Sequence, residues 1–491
     1  MKIRDFVGIK TILFDNLTVK QTIFKNTFWS TIAVAMDRLL KFILLIYVAR
    51  ILGATEYGKF TFALSFTSLF VVFHSFGLHS IITREFAREE EKKEEFYSIM
   101  SLKVLLSFGA FILILLSSFF ITSSPDIRRV ILILAIFSLL NGFTTIFYAF
   151  FQARQRMEYE TWAELLQAVI VTGTGLLVLF KFPSVENLSY SYLFSGLAGL
   201  IFVVIFFNFK IFPLKIYWEK IVWRKFLIMS WPLALTGLFG TLYTYIDSVM
   251  LGCWGMITET GWYNAAYRVI FIALMPMALI SGSFYPVLSN FFKKSKEKLQ
   301  KVWAYQTELM ILLSFPLVVG GIVLAPRIID FVYGPDFTPA ILAFQILTIM
   351  AGLIFLCRPF YDVMIASDQQ KKTFLVTFWG ALIDIILNLI LIPKYSLYGA
   401  AVATVITYIF ILLLYFKYTM KYTPIHPLNL KFLFVFIIAA ISTAFMYFVI
   451  IQPVIYNLNI FLTVFVGAII YATVFLVLRK TYDVFKIKNN L

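Results

Sequence analysis

The sequence predicts an all-α membrane protein of about 14 transmembrane helices, on three observations. Of its 491 residues 61% are hydrophobic and 14% charged, with a mean hydropathy of +0.89, whereas soluble domains run about 45–50% apolar and about 25% charged. Apolar runs of about 20 residues, enough to cross a hydrocarbon layer of about 30 Å, recur along the whole chain. Those runs are continuous rather than alternating, which excludes a β-barrel.

Residues 1–25 (MKIRDFVGIKTILFDNLTVKQTIFK) are basic and lack a long apolar core or a small-residue cleavage site. They are expected to be a cytoplasmic N-terminal segment, as an interfacial amphipathic helix or a tail, and not a signal peptide. Spans 1 to 6 are placed at 26–52, 59–82, 98–121, 128–151, 161–181 and 188–211. Spans 7 to 12 follow at 226–252, 261–291, 302–325, 338–366, 373–393 and 398–420, and spans 13 and 14 at 430–451 and 457–480. The stretch REFAREEEKKEEF (84–96) reads as a solvated helical extension with Glu–Lys pairs one turn apart. Pro232, Pro276, Pro316 and Pro359 interrupt spans 7 to 10 and should kink them.

Most of the 42 Lys and Arg lie in the two tails and in the loops after even-numbered spans. Basic loops stay in the cytoplasm, so both termini are expected there, in a multi-pass protein of the cell membrane. The same distribution removes nucleic acid as the meaning of the +16 net charge. No loop is long enough for a catalytic domain, and no GxxxxGK[ST] phosphate loop occurs. Cys253 and Cys357 fall in or beside spans, without disulfide or metal-ligand spacing, and read as small buried hydrophobes.

The chain echoes itself. GKFTFA (58–63) follows span 1 and GWYNAA (261–266) follows span 7, while FFQARQRMEYETW (150–162) and MIASDQQKKTFLV (364–376) each link the fourth and fifth spans of a half. Six spans per unit is an even number, so the halves would be parallel repeats, a common construction in transporters. This gives a division into 1–25, an N-lobe at 26–215, a C-lobe at 216–421, and spans 13 and 14 with the tail at 422–491.

Three stretches carry a resemblance to a known family. They are VARILGATEYGKFTFALSF (48–66) with FGLHSIITREFAR (76–88); SWPLALTGLFGTLYTYIDSVMLG (230–252) with GWYNAAYRV (261–269); and YGPDFTPAILAFQILTIM (333–350) running into SDQQKKTFLVTFWGALIDIILNLILIPKYSLYGAAVATVITY (367–408). Together, over about residues 26–420, they resemble the polysaccharide-unit flippases of the multidrug, oligosaccharidyl-lipid and polysaccharide exporter superfamily. The resemblance implies two six-helix lobes in a V around a central cavity. It also implies movement of a lipid-diphosphate-linked glycan to the outer leaflet by alternating access, with no cofactor and no nucleic-acid partner. A monomer is expected, with glycan-assembly enzymes as candidate associates.

Charges inside the spans then become candidate sites, because an ionised group at mid-membrane is costly. In MDRLLKFILL (36–45), Arg38 and Lys41 are three apart and Asp37 and Lys41 four apart, so all three are expected on one helix face. Arg38 and Lys41 suit a diphosphate headgroup, Arg as a fork and Lys as a point charge, with Asp37 neutralising part of that charge. Arg268 in span 8 is a further headgroup candidate, or a structural partner of Asp247. Arg358 and Asp362, four apart on span 10, read as an ion pair and a candidate gate. Asp247, Asp384, Asn388 and Thr404 lie at similar depth on spans 7, 11 and 12, and their oxygens suit Na⁺ or a titrating proton. Lipid-II-type flippases of the superfamily are thought to hold sodium on these three helices. The resemblance thus implies Na⁺ or H⁺ coupling there, against a plain helix-packing network. His74, His79, Glu164 and Glu308 lack a partner evident in the sequence. The rival functions are a multidrug antiporter of the same superfamily, which would favour an acidic cavity, and a membrane glycan polymerase or glycosyltransferase. The last would need a large outer loop or an acidic metal motif, and the loops offer neither.

Overall fold

The computed structural model describes residues 12–16, 18–88, 93–215, 217–427 and 430–489. Every regular element among them is helical. Eleven helices are long and apolar enough to cross a membrane. One of these, Gln370–Tyr422, has 53 residues, about 80 Å of helix at about 1.5 Å per residue and far more than one crossing needs. It breaks at Ser396 (φ 52°, ψ −134°), just after Pro393, and so contains spans 11 and 12. Val19–Leu69 is not among the eleven, since Asp37, Arg38, Lys41 and Arg50 interrupt its apolar course. It breaks at Gly53, whose φ of 78° is open to glycine at little cost, and supplies span 1 and the start of span 2. Fourteen spans result, as the apolar runs require.

Local chemistry accounts for the boundaries. Thr18 caps the first helix by accepting from the Gln21 N–H at 3.2 Å, so that helix starts at Val19, well before the expected 26. Ser184 and Ser295 cap Val185–Lys210 and Lys296–Tyr333 in the same way. Two spans differ from the uniform runs expected. Span 2 continues past Leu69 as Val71–Ser75 and then Leu78–Arg88, separated by Phe76 and Gly77 in left-handed conformations. Span 8 is two helices, Ile257–Ala273 and Met275–Lys294, because Pro276 cannot donate to the ladder and instead sits in the first turn of the second. Pro232, Pro316 and Pro359 remain inside continuous helices. The expected interfacial helix falls mainly on residues 1–11, and the centre of the 84–96 extension on 89–92; both lie outside the described residues. The flanks of that extension pair differently from the expectation, with Arg84 and Arg88 on Glu85, and Lys225 on Glu95.

The chain packs as two compact units, one up to Gly261 and one from Trp262 onward. The first has an aromatic core in which Phe96 stacks on Phe207 at 5.2 Å and meets Phe150 edge-on at 5.0 Å, joining spans 3, 4 and 6. It also contains a backbone-to-backbone contact between Ala54–Gly58 and Ile257–Gly261, where Thr55 and Thr258 share a hydroxyl bond of 2.8 Å. In the second unit, spans 13 and 14 lie on span 9 through Ile311, Leu324, Val435, Met446 and Tyr471.

Candidate functional site

In the first unit, Asp37 and Lys41 form an ion pair of 2.7 Å across one helical turn, with side chains 31% and 40% exposed. A charged pair in mid-helix therefore keeps an opening rather than closing into the packing. Both residues line a cavity of about 330 Å³ formed with spans 2, 4 and 5. Its other walls include His74, Asn141, Tyr148 and Glu164. Arg38 is half-buried on the same helix but is not among the residues lining the cavity. The structure thus brings Asp37 and Lys41 together and adds Glu164, whose carboxylate lies near both. The sequence offers Glu164, like His74, as a lone group with cavity lining or proton relay as its candidate roles, and both line this cavity.

Polar groups around the cavity extend this network. Lys103 is buried in span 3 and donates to the His74 carbonyl at 2.6 Å. That carbonyl lies in the last turn of Val71–Ser75, where helix carbonyls lose their own donors and favour a cation. His79 bonds Gln152 at 3.1 Å, and the Gln152 amide donates to both oxygens of Glu160 at 3.0 Å. Lys25, assigned to the tail from sequence, is fully buried and pairs with Glu158 at 3.0 Å. It also donates to Asn16 at 2.7 Å and to the Gln155 carbonyl at 3.0 Å. Trp29 and Arg156 donate to the carbonyls of Leu13 and Phe14, tying residues 12–16 across this end of the unit.

In the second unit, Asp384, Asn388 and Thr404 are all buried, as is Thr407. Asn388 donates to one Asp384 carboxylate oxygen at 3.3 Å and Thr407 to the other at 3.1 Å. Thr404 shares a 3.4 Å hydroxyl bond with Tyr263. Both Asp384 carboxylate oxygens thus accept a hydrogen bond, one from span 11 and one from span 12. Thr407 was not identified from sequence, although it lies one turn from Thr404. Asp247, also buried, belongs to the first unit.

Arg358 and Asp362 do pair, at 3.0 Å. Arg358 also donates to Ser281 at 2.7 Å, and Asp362 accepts from Gln306 at 2.6 Å, so the pair links spans 8, 9 and 10. Arg268 is half-buried, and its Nε meets no hydrogen-bond partner among the described residues. Glu308 gains the partner that sequence could not supply, Arg479 of span 14 at 2.6 Å. Cys357 is buried as expected, but Cys253 is exposed, because it ends its helix instead of lying within the packing.

Residues 23–292, more than half of the chain, match the family described as polysaccharide biosynthesis protein. A Haloferax volcanii protein named as a probable low-salt glycan biosynthesis flippase is 22% identical over 75% of this chain and 77% of its own length. The capsular polysaccharide biosynthesis protein CapF of Staphylococcus aureus is 23% identical over 80% of this chain and 98% of its own. Among solved structures, a lipid II flippase MurJ in an inward closed conformation superposes with a TM-score of 0.77 at 17% identity, covering 93% of this chain and 99% of that one. That likeness establishes the fold, with two six-helix lobes and two added helices. The chain therefore belongs to the polysaccharide biosynthesis protein family and is a multi-pass membrane protein.

Proposed function

We propose that the protein carries a lipid-diphosphate-linked oligosaccharide from the cytoplasmic to the outer leaflet of the cell membrane by alternating access, with both termini cytoplasmic. One observation carries the reading: a partly exposed lysine, Lys41, stands on the wall of a cavity in the middle of a spanning helix. A group so costly to hold in the membrane is best explained by an anionic ligand. Arg38 and Lys41 are the headgroup cations proposed for the first unit, with Asp37 setting their net charge, and Arg268 is the one proposed for the second. Asp384, Asn388 and Thr404, now with Thr407, are the proposed coupling site for Na⁺ or H⁺ in the second unit, and Asp247 is the coupling carboxylate proposed for the first. Arg358 and Asp362 are a proposed gating pair, because breaking their links would loosen three helices at once.

One feature favours the antiporter reading: two carboxylates, Asp37 and Glu164, face one ammonium in the cavity. The experiment that decides is translocation of a lipid-diphosphate glycan by the purified protein in vesicles. The double variant Arg38→Ala, Lys41→Ala should slow it at least tenfold. Unchanged flipping by a well-folded double variant would sink the headgroup assignment, and export of organic cations without glycan flipping would establish the antiporter.

A further inference from the structure

Ser295 alone joins Met275–Lys294 to Lys296–Tyr333, so these two helices of the second unit form a tight hairpin. Between them is a cavity of about 300 Å³ lined by Ser283, Phe284, Val287, Lys301, Val302 and Tyr305, at the small end for a ligand site. Its walls are apolar apart from Lys301. Ser283 gives its hydroxyl to the Leu279 carbonyl at 3.1 Å, and Tyr305 packs on Phe284 with ring centroids 5.8 Å apart. Val287 and Tyr305 are 39% and 54% exposed, so the groove opens at the surface of the unit. Charge gathers where it meets the turn: Lys293, Lys294, Lys296, Lys298 and Lys301 fall within nine residues, all exposed. Among the described residues Glu297 is the one acid that pairs with any of them, on Lys301 at 2.6 Å.

We propose that this hairpin holds one anionic phospholipid, with a hydrocarbon chain in the groove and the headgroup phosphate on Lys294, Lys298 and Lys301. Phe284, Val287 and Phe291 fall on one stripe of their helix, and Lys298, Val302 and Tyr305 on one stripe of the next. Where the stripes meet at the turn, Lys298 lies over the Phe291 ring, 5.8 Å from its centroid. Cations and groove are therefore one continuous amphiphilic surface. The lining residues stand six to twelve positions from Ser295, about 9–18 Å along the helices. A chain filling half of a hydrocarbon layer of about 30 Å reaches that depth. Gln300 holds the lysine-bearing turn in place, accepting from the His426 N–H at 2.9 Å and donating to its carbonyl at 3.2 Å. Basic clusters beside a spanning helix attract anionic lipid, and the groove adds a contact that a soluble phosphate cannot use. A second copy fits less well, because it would bring the same lysines. The lipid is a resident one, and its site is separate from the cavity proposed for transport.

The test uses the full chain in detergent with phosphatidylglycerol and phosphatidylcholine of identical chains, read by native mass spectrometry, and glycerol 3-phosphate as the soluble phosphate. Phosphatidylglycerol should be held at least tenfold more tightly than phosphatidylcholine, and glycerol 3-phosphate should not be retained. The triple variant Lys294→Gln, Lys298→Gln, Lys301→Gln should lose most of that preference. Val287→Trp, which fills the groove from an exposed position, should weaken phosphatidylglycerol at least fivefold, with both thermal midpoints kept near wild type. Phosphatidylglycerol with a photoreactive chain should label residues 283–305 of the wild type, a readout that needs no variant. Labelling confined to other helices overturns the proposal, as does phosphatidylglycerol binding that either variant retains in full. Equal retention of the two lipids shows plain hydrocarbon filling and overturns it. Lysine-dependent retention of glycerol 3-phosphate assigns a free-phosphate site, and a lysine-dependent dimer assigns the surface to a second copy. Displacement of the labelling lipid by a tenth as much polyprenyl diphosphate assigns the groove to the transported lipid. Each of these three outcomes also overturns it, and none bears on the transport reading itself.

Discussion

Gly58 and Gly261 meet back to back: a Cβ placed on either would lie 3.1 Å from the amide nitrogen of the other. Each would also run into a carbonyl oxygen of the opposite segment, that of Ile257 for Gly58 and that of Ala54 for Gly261. These two glycines open GKFTFA and GWYNAA, the stretches whose likeness suggested an internal repeat.

Gly58→Ala and Gly261→Ala should each lower the thermal unfolding midpoint in detergent. Backbone, not a flexible side chain, would have to move, so the overpacking cost is about 1–3 kcal/mol per site. Midpoints matching wild type for both variants would refute the close contact.

The Lys25–Glu158 pair should behave as a buried one. Lys25→Met or Glu158→Gln alone leaves an uncompensated group and should cost about 3–5 kcal/mol, while Lys25→Met with Glu158→Leu should cost clearly less than their sum. Denaturation of the four proteins gives the coupling, and simple additivity would show that the pair is not linked.

Asp37→Asn releases Lys41 from its 2.7 Å partner. A partly exposed pair is worth about 0.2–1 kcal/mol, so a Lys41 that contacts phosphate should bind a lipid diphosphate up to about fivefold more tightly in the variant. Weaker binding in a folded Asp37→Asn protein would argue that the aspartate itself meets the ligand.

Asp384→Asn should abolish the dependence of transport on Na⁺ or on a pH gradient, and Thr407→Val should weaken it about tenfold by removing the 3.1 Å donor to that carboxylate. Initial rates at varied Na⁺ and pH measure both. Undiminished ion dependence in Asp384→Asn would return this cluster to helix packing.

The fourteen crossings were legible because burying about 20 apolar residues in lipid leaves an unmistakable run. The break at Leu274 was announced by Pro276, whereas the one at Phe76 was not, since hydropathy records transfer and is blind to backbone angles. Within the candidate sites, what one helix turn determines was readable: Lys41 on Asp37, Arg358 on Asp362, Asn388 on Asp384. What another helix supplies was hidden. Lys25 looked like a tail residue because Glu158 is far along the chain, and Glu308 looked alone because Arg479 is farther still. Thr407 reaches Asp384 only because the chain turns back at Ser396.

Spans 13 and 14 look like an appendix in the sequence, beyond both repeats, yet they hold span 9 at both ends. Arg327 donates to the Tyr456 and Leu458 carbonyls and to Thr463, and Arg479 neutralises Glu308. A chain shortened after span 12 would leave the Glu308 carboxylate and, at the other end of the same helix, the Arg327 guanidinium without these partners. A twelve-span version of this protein is therefore not obtained by trimming alone. The two terminal spans are a dependency of span 9, and any shorter version must first replace Glu308 and Arg327 with residues that need no partner there.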